Sequence, residues 1–205
     1  INAVGTPDKP IVMTSEKEEP GAWGGIHICG KAHTNAEGGK GSSEIGGAVY
    51  GGNDDADNSG TLQYIRLEYT GFAFDEEHEA NGISFYGVGS GTIVDHCEAY
   101  KGSDDGFEFF GGSVNVSNMV VVSCSDDSFD WTEGWNGKGT DLVAYQEAKA
   151  TLGYDCDCLI EADNNENDNA ATPVSHPVLK NLILAGNGES KQGIRLRRGT
   201  QADID

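Results

Sequence analysis

Two pairs of adjacent aspartates, Asp104-Asp105 and Asp126-Asp127, are the residues of this sequence best suited to holding a metal ion. If the pairs stack on each other, several carboxylates meet within a few ångströms. Like charges so close raise one another's pKa unless a cation neutralises them. Calcium, with about six to eight oxygen ligands, fits such a cluster. We therefore predict a calcium site here; the alternative is that these aspartates only cap turns.

A second candidate cation site lies in the stretch Asp55-Ala56-Asp57-Asn58-Ser59-Gly60. Asp55 and Asp57, with the following serine and glycine, match the first half of an EF-hand calcium loop. The bidentate acid expected at the twelfth loop position is Arg66, which excludes a complete EF-hand. A partial calcium loop and a plain aspartate-stabilised turn remain the two interpretations.

The aspartate pairs belong to a short strand motif that recurs along the chain. A related motif occurs upstream at 81–87, and others follow at 126–134, 157–161 and 192–196. The recurrence, at roughly 22 to 35 residues, and the alternating pattern predict an all-β, right-handed parallel β-helix, a solenoid of stacked coils. The residue pairs predicted to face inward are Ile83/Phe85, Phe107/Phe109, Phe129/Trp131, Leu159/Glu161 and Ile194/Leu196. Those predicted to face outward are Ser84, Glu108, Asp130, Ile160 and Arg195.

A second type of strand is predicted in each coil, at 62–69, 94–100, 116–122 and 179–185. Aligning these segments places Ile65, Cys97, Met119 and Leu182 in one interior column. Residues 32–60 are rich in Gly, Ser, Asn and Asp, and we interpret them as a loop insertion with a short strand at 45–50. We predict that 1–205 is a single β-helix domain, cut from a longer chain because neither end resembles a capping coil.

The composition restricts the partners. With 34 acidic and 13 basic residues the formal charge is −21, which repels nucleic acid and anionic membranes and is compatible with an extracellular surface. No run of about eighteen apolar residues exists, so no membrane-spanning segment is predicted. The five cysteines lack a zinc-site spacing. We expect Cys29 and Cys97 to be buried thiols, and one disulfide among Cys124, Cys156 and Cys158 is possible in an oxidising compartment.

Aromatic residues next to the outward acids provide a candidate binding surface. Tyr86 and Phe110 are predicted to point outward beside Glu108 and Asp130, and Trp135 is a further candidate. Exposed aromatics beside polar groups suit the stacking of sugar rings or contact with a partner chain. The alternative is that they pack beneath the inserted loops.

The run Gly102-Ser103-Asp104-Asp105-Gly106-Phe107-Glu108-Phe109-Phe110-Gly111-Gly112 and the segment Leu196-Arg197-Arg198-Gly199-Thr200 resemble secreted bacterial right-handed parallel β-helix proteins. Those proteins are commonly of cell-surface or lipoprotein type. The resemblance implies an extracellular or cell-surface location. It does not choose a function, because the fold carries polysaccharide lyases, glycoside hydrolases, adhesins and structural spikes.

We predict a non-catalytic surface or fibre-forming module, stabilised by calcium, that contacts polysaccharide or other copies of itself. The alternative is a polysaccharide lyase or glycoside hydrolase on the same scaffold, using two of the acids as general acid and base. The Gly-His-Gly and Arg-Ile-Lys motifs of β-helix hydrolases are absent from this sequence. A lyase needs a base beside the calcium, and Lys101 and Lys138 are the nearest candidates.

Overall fold

A computed structural model describes residues 1–75 and 78–205 of the chain. Strands dominate it, with one 3-10 turn at Glu37–Gly39 and one short helix, α1 (Lys149–Leu152). The strands are β1 (Asn2–Val4), β2 (Ile11–Met13), β3 (Ile26–Cys29), β4 (Gly41–Ser42), β5 (Val49–Tyr50), β6 (Thr61–Glu68), β7 (Ile83–Tyr86), β8 (Ile93–Tyr100), β9 (Phe107–Phe110), β10 (Asn115–Val122), β11 (Phe129–Thr132), β12 (Lys138–Tyr145), β13 (Ile160–Ala162), β14 (Val178–Ala185), β15 (Ile194–Leu196) and β16 (Asp203–Ile204).

Two parallel sheets form the walls of a tube. The long-strand sheet has the order β1-β6-β8-β10-β12-β14-β16, with β2 also pairing with β6, and the short-strand sheet has the order β15-β13-β11-β9-β7-β3. From β6 to β16 the strands alternate between the two sheets, and each pairs in parallel with its equivalent one coil away. This is a parallel β-helix, as predicted; the right-handed sense follows the crossover rule and stays a prediction.

The predicted interior columns are confirmed where they can be compared. Ile65 pairs with Cys97, and Met119 is followed by Leu142 and then Leu182 in the same column. Leu142 belongs to β12, a long strand that was not among those predicted. Its first half, Lys138-Gly139-Thr140-Asp141, carries no large apolar side chain, so the strand pattern is weak there.

The predicted register of β13 is wrong by one residue. Leu159 and Glu161 were expected to face inward, but Ile160 pairs with Phe129 and Ala162 with Trp131. A shift of one residue moves every side chain of a strand to the other face. The observed register puts two apolar side chains inside and spares Glu161 the large cost of an unpaired charge in the core.

Left-handed backbone conformations form the corners of the tube. Each eight-residue strand bends at one residue with φ between 52° and 58°, and these residues align as Tyr64, His96, Asn118, Asp141 and Asn181. Asparagine and aspartate tolerate this conformation well, whereas tyrosine does so at a cost. The Tyr64 and His96 rings stack with centroids 4.4 Å apart. The bend explains why interior residues of β6 fall at 62, 65 and 67 rather than alternating strictly.

The segment 32–60 folds back over the outside of the short-strand sheet. It contains the 3-10 turn and the antiparallel pair β4–β5. The Tyr50 ring lies 5.1 Å from that of Tyr86, which stacks on Phe110 at 4.4 Å. Tyr86 and Phe110 are therefore only 0% and 7% exposed. The predicted exposed aromatic surface is wrong for these two residues, and the alternative, packing beneath the insertion, is confirmed.

Trp135 was also expected on the surface but lies inside the tube, 1% exposed. Its ring stacks on Phe109 with centroids 4.0 Å apart, and its indole N–H donates to the carbonyl of Val114 at 3.1 Å. A buried tryptophan that satisfies its single donor contributes a large apolar area to a core. This correction removes the third of the predicted stacking residues.

All five cysteines are free thiols. The disulfide considered among Cys124, Cys156 and Cys158 does not form in this structure, although all three side chains are buried. Cys97 is buried as expected, and Cys29 is exposed, contrary to expectation, because it faces away from the tube at the end of β3.

Gly106 illustrates how closely the coils stack. A Cβ atom added there would lie 2.6 Å from both the carbonyl oxygen of Ser128 and Cγ1 of Val121. We expect Gly106→Ala to lower the free energy of unfolding by about 1–3 kcal/mol, because neighbouring backbone must move. Gly193→Ala is the matched control, since Gly193 holds the same place before β15 with nothing within 4 Å. Urea unfolding measures both, and equal effects would contradict the stacking.

Candidate cation-binding groove

The outward face of the short-strand sheet carries one continuous polar row. Strand pairing brings together residues that are far apart in sequence, with a rise of roughly 4.8 Å per coil. In order along the tube, the row is His27, Ser84, Glu108, Asp130, Glu161 and Arg195. Carboxylates therefore occupy three successive coils, and a guanidinium group follows them on the next coil.

The two aspartate pairs stack at the turns that precede β9 and β11. Asp105 Oδ1 accepts the backbone N–H of Asp127 at 2.8 Å, and Asp127 Oδ1 accepts that of Cys158 at 2.5 Å. Asp104, Asp105 and Asp127 are buried. The turn-capping role is therefore real, and it also fixes these carboxylates close to one another. Capping and clustering are not alternatives in this structure.

The stacked turns and the polar row line one groove with a cavity of about 350 Å³. Glu44 enters from the 32–60 insertion, and Arg195 and Arg197 enter from the last coils. The lining residues are Glu44, Glu79, Asp104, Asp105, Glu108, Asp126, Asp127, Asp130, Asp157, Glu161, Arg195 and Arg197. Ten carboxylates against two guanidinium groups would give a formal charge of −8 if every acid were ionised.

Several of these carboxylates approach closely enough to share an ion. In the described part of the chain, three all-carboxylate groups have one oxygen from each member within 4.8 Å of the others: Asp104/Asp105/Asp126, Asp105/Glu108/Asp130 and Asp127/Asp130/Glu161. A fourth group combines Asp127 and Asp157 with the thiol of Cys158. The all-carboxylate groups provide the hard oxygen ligands that calcium prefers.

Burial and mutual repulsion keep protons on this groove. Burial first, and then the charges of neighbouring carboxylates, raises the pKa of Asp104 and of Asp127 to about 8 and that of Glu44 to about 7. The same causes raise the pKa values of Asp105, Glu108 and Asp130 well above their ordinary range. A divalent cation would displace these protons and stabilise the ionised carboxylates.

Arginines close the far end of the groove. Arg195 lies 2.8 Å from Glu161 Oε1, and Arg197 contacts both Glu161 and Asp163. Arg198 adds a contact of 2.6 Å to Asp163. These ion pairs cross from one coil to the next. Burial opposes the charge of Arg197, but its contacts with Asp163 and Glu161 outweigh this and raise its pKa.

A family comparison is consistent with this architecture. The family model described as a pectate-lyase-like beta helix domain matches residues 1–205. The chain belongs to this family. Searches of curated proteins and of solved structures gave no match to the chain.

Asp55 and Asp57 of this pectate-lyase-like domain lie apart from the groove. The Asp55 carboxylate accepts hydrogen bonds from the backbone N–H and the ring Nδ1 of His33, and Asp57 accepts one from the Ser59 hydroxyl at 2.9 Å. Neither belongs to a group of three possible metal ligands among residues 1–75 and 78–205. These hydrogen bonds are those of an aspartate-stabilised turn, and the partial calcium loop at Asp55 and Asp57 stays a prediction.

The sequence predicts most of the metal-site aspartates but not all of the other groove residues. Glu161 could have been found, because in the correct register it repeats the outward position of Glu108 and Asp130. Glu44 carries no such signal, since only the folding of the insertion brings it to the groove. Over residues 1–75 and 78–205, the β-helix domain has no helix with the length and apolarity that a bilayer crossing requires.

Proposed function

We propose that this β-helix domain is a non-catalytic extracellular or cell-surface module whose acidic groove binds calcium. The observation that carries the proposal is the set of three overlapping carboxylate groups, each of which joins two successive coils. Bound calcium would neutralise charges that otherwise repel each other across the coils, and it would thereby hold those coils together. The extracellular setting is supported by the family, whose members are usually extracellular.

The ligand chemistry favours calcium over other common divalent ions. The three groups on which the proposal rests offer only oxygen ligands, whereas zinc prefers nitrogen and sulfur. Magnesium requires near-ideal octahedral geometry and retains several waters. A groove lined by carboxylates from several turns suits the larger, more adaptable coordination sphere of calcium.

The basic groups near the groove argue against proton abstraction. A lyase base must be unprotonated when it acts, and the raised pKa of Arg197 opposes this. Lys101 pairs with Glu147 at 3.0 Å, and neither Lys101 nor Lys138 lines the groove. The lyase or hydrolase alternative is favoured by one observation, the position of Arg195 beside the carboxylates.

Contacts with polysaccharide or with other copies need a surface other than the buried aromatics. The outward face of the long-strand sheet offers one, because Val120 pairs with Val143, which pairs with Ile183, and Val122 pairs with Tyr145. Tyr145 is 48% and Ile183 60% exposed. Large contiguous patches of exposed apolar side chains mark contact surfaces in soluble proteins. This patch supports the proposed contacts with polysaccharide or with other copies of the chain.

Calorimetric titration of the EDTA-treated protein with calcium tests the proposal. We expect saturable binding in the range of roughly 10⁻⁶ to 10⁻³ M, and a loss of affinity of about tenfold or more in Asp126→Asn. Asp155→Asn is the matched control, because Asp155 pairs with Lys149 outside the groove. Absence of calcium binding overturns the proposal.

A parallel assay separates the two functional classes. The calcium-loaded protein is incubated with acidic polysaccharides, and the products are followed by ultraviolet absorbance of unsaturated ends and by reducing-end release. We expect neither signal. Unsaturated products abolished by Arg195→Met would establish the lyase alternative instead, and reducing ends without unsaturation would indicate a hydrolase.

A further inference from the structure

The carboxylate groups of the groove are not separate from one another. Asp105 belongs both to the first group, with Asp104 and Asp126, and to the second group, with Glu108 and Asp130. The first group lies at the stacked turns and the second extends onto the polar row. A carboxylate has two oxygens, so a shared aspartate can contact an ion on either side.

One divalent ion would not match the charge of this groove. Its ten acids and two arginines carry a formal charge of −8 when ionised, and a single calcium would leave −6 in a half-enclosed space. Carboxylates crowded in such a space either keep protons or bind more cations. The negative charge that remains after one calcium binds is therefore large enough to attract a second ion.

Unpartnered buried atoms lie beside the second group. The Asn81 side chain is 1% exposed, and its Nδ2 donates to Glu108 Oε2 at 2.6 Å and to the Ser84 hydroxyl at 3.0 Å. Its carboxamide oxygen, on the same carbon as that nitrogen, is buried and has no hydrogen-bond partner among the described residues, and the same is true of Asp130 Oδ1. Buried oxygens without a donor are costly, and a cation at the second group would satisfy both.

The third group differs because arginine side chains already form ion pairs with one of its carboxylates. Glu161 is paired with Arg195 and Arg197, so two positive groups compete with any ion there. The first and second groups have no such contact with an arginine or lysine among the described ion pairs. We therefore expect ions to bind at the first and second groups, at the end of the groove away from the arginines.

We propose that the groove holds a pair of divalent cations bridged by Asp105. Asp104 and Asp126 complete the first site. Glu108, Asp130 and the carboxamide oxygen of Asn81 complete the second. The inference rests on the proposed calcium-binding function and adds the number of ions and the bridging residue. Both sites lie across the same two coils, one at the stacked turns and one on the adjoining strands, and Asp105 belongs to both carboxylate groups.

Equilibrium dialysis with calcium gives the first test, with the intact chain at saturation. We expect two calcium ions per chain. The variants Asp126→Asn and Asp130→Asn, which each remove a ligand of one site only, should retain one ion, and Asp155→Asn should retain two. Zero ions in the unmodified protein would overturn the proposed function itself, and one ion would overturn only the bridged pair.

Lanthanide energy transfer tests the bridge first in the unmodified protein and then in one variant. The protein is loaded with terbium alone or with a terbium and neodymium mixture, and the terbium emission lifetime is measured. Adjacent sites should give a shortened component in the mixed sample. In Asp130→Asn this component should disappear. Two bound ions with an unchanged lifetime would place them far apart and overturn the bridge.

Discussion

In calcium-free buffer the protein will be more stable at about pH 5.5 than at about pH 9, by roughly 3–6 kcal/mol. The pKa values of Asp104 and Asp127 rise from 3.8 to about 8 on folding, chiefly through burial. Between these limits the folded chain binds more protons than the unfolded chain, so the free energy of unfolding falls as pH rises. The stabilisation is complete below the unfolded pKa and is lost as pH passes through about 8.

Calcium should cancel this dependence, because it stabilises the ionised carboxylates that burial otherwise disfavours. Urea unfolding at each pH, first with EDTA and then with saturating calcium, measures the pH dependence of stability without and with the ion. Asp104→Asn should weaken the pH dependence, since an amide resembles the protonated acid, and Asp155→Asn should retain it. A calcium-free protein whose stability increases from about pH 5.5 to 9 would contradict the electrostatics of the groove.

Phe109→Ala will lower the free energy of unfolding by about 3–5 kcal/mol. Phe109 is buried inside the tube, where its ring lies 5.0 Å from that of Phe85 and 4.0 Å from that of Trp135. The truncation removes this stacking and leaves a cavity that the rigid coils fill poorly. For a chain of this size the melting temperature should fall by roughly 6–20 °C.

Phe74→Ala is the matched control for this core prediction. Phe74 is 69% exposed on the connection between β6 and β7, so its truncation should change stability by less than about 0.5 kcal/mol. Thermal and urea unfolding of both variants provide the comparison. If Phe109→Ala were as mild as Phe74→Ala, the aromatic residues could not share a single core.

Repetition in the sequence was sufficient to predict the tube. Phe107 and Phe129 occupy equivalent places in their motifs, and Glu108 and Asp130 take the next outward position. Pairing in the structure confirms both matches. The prediction works because each coil contacts mainly its neighbours, so local alternation and a regular repeat define the column that a residue joins. The recurring aspartate pairs fall at one turn for the same reason.

The predicted register was wrong at β13, where the sequence repeat is weakest. In the fourth coil, Leu159, Ile160 and Ala162 allow two alternations, and the sequence alone gave no preference that was strong enough. The folded protein decides because only one choice leaves Glu161 outside, in contact with Arg195 and Arg197. Both arginines come from a later coil. They lie far from Glu161 in the sequence, so no local pattern indicates these contacts.

The sequence by itself determined the fold, the interior columns of the better-defined coils and the aspartates of the groove, because these depend on interactions between equivalent positions. Only the tertiary structure decided that the 32–60 insertion covers Tyr86 and Phe110 and brings Glu44 to the acids. It also decided that Trp135 enters the core. These placements depend on long-range contacts made by non-repeating segments, and no local pattern in the chain encodes them.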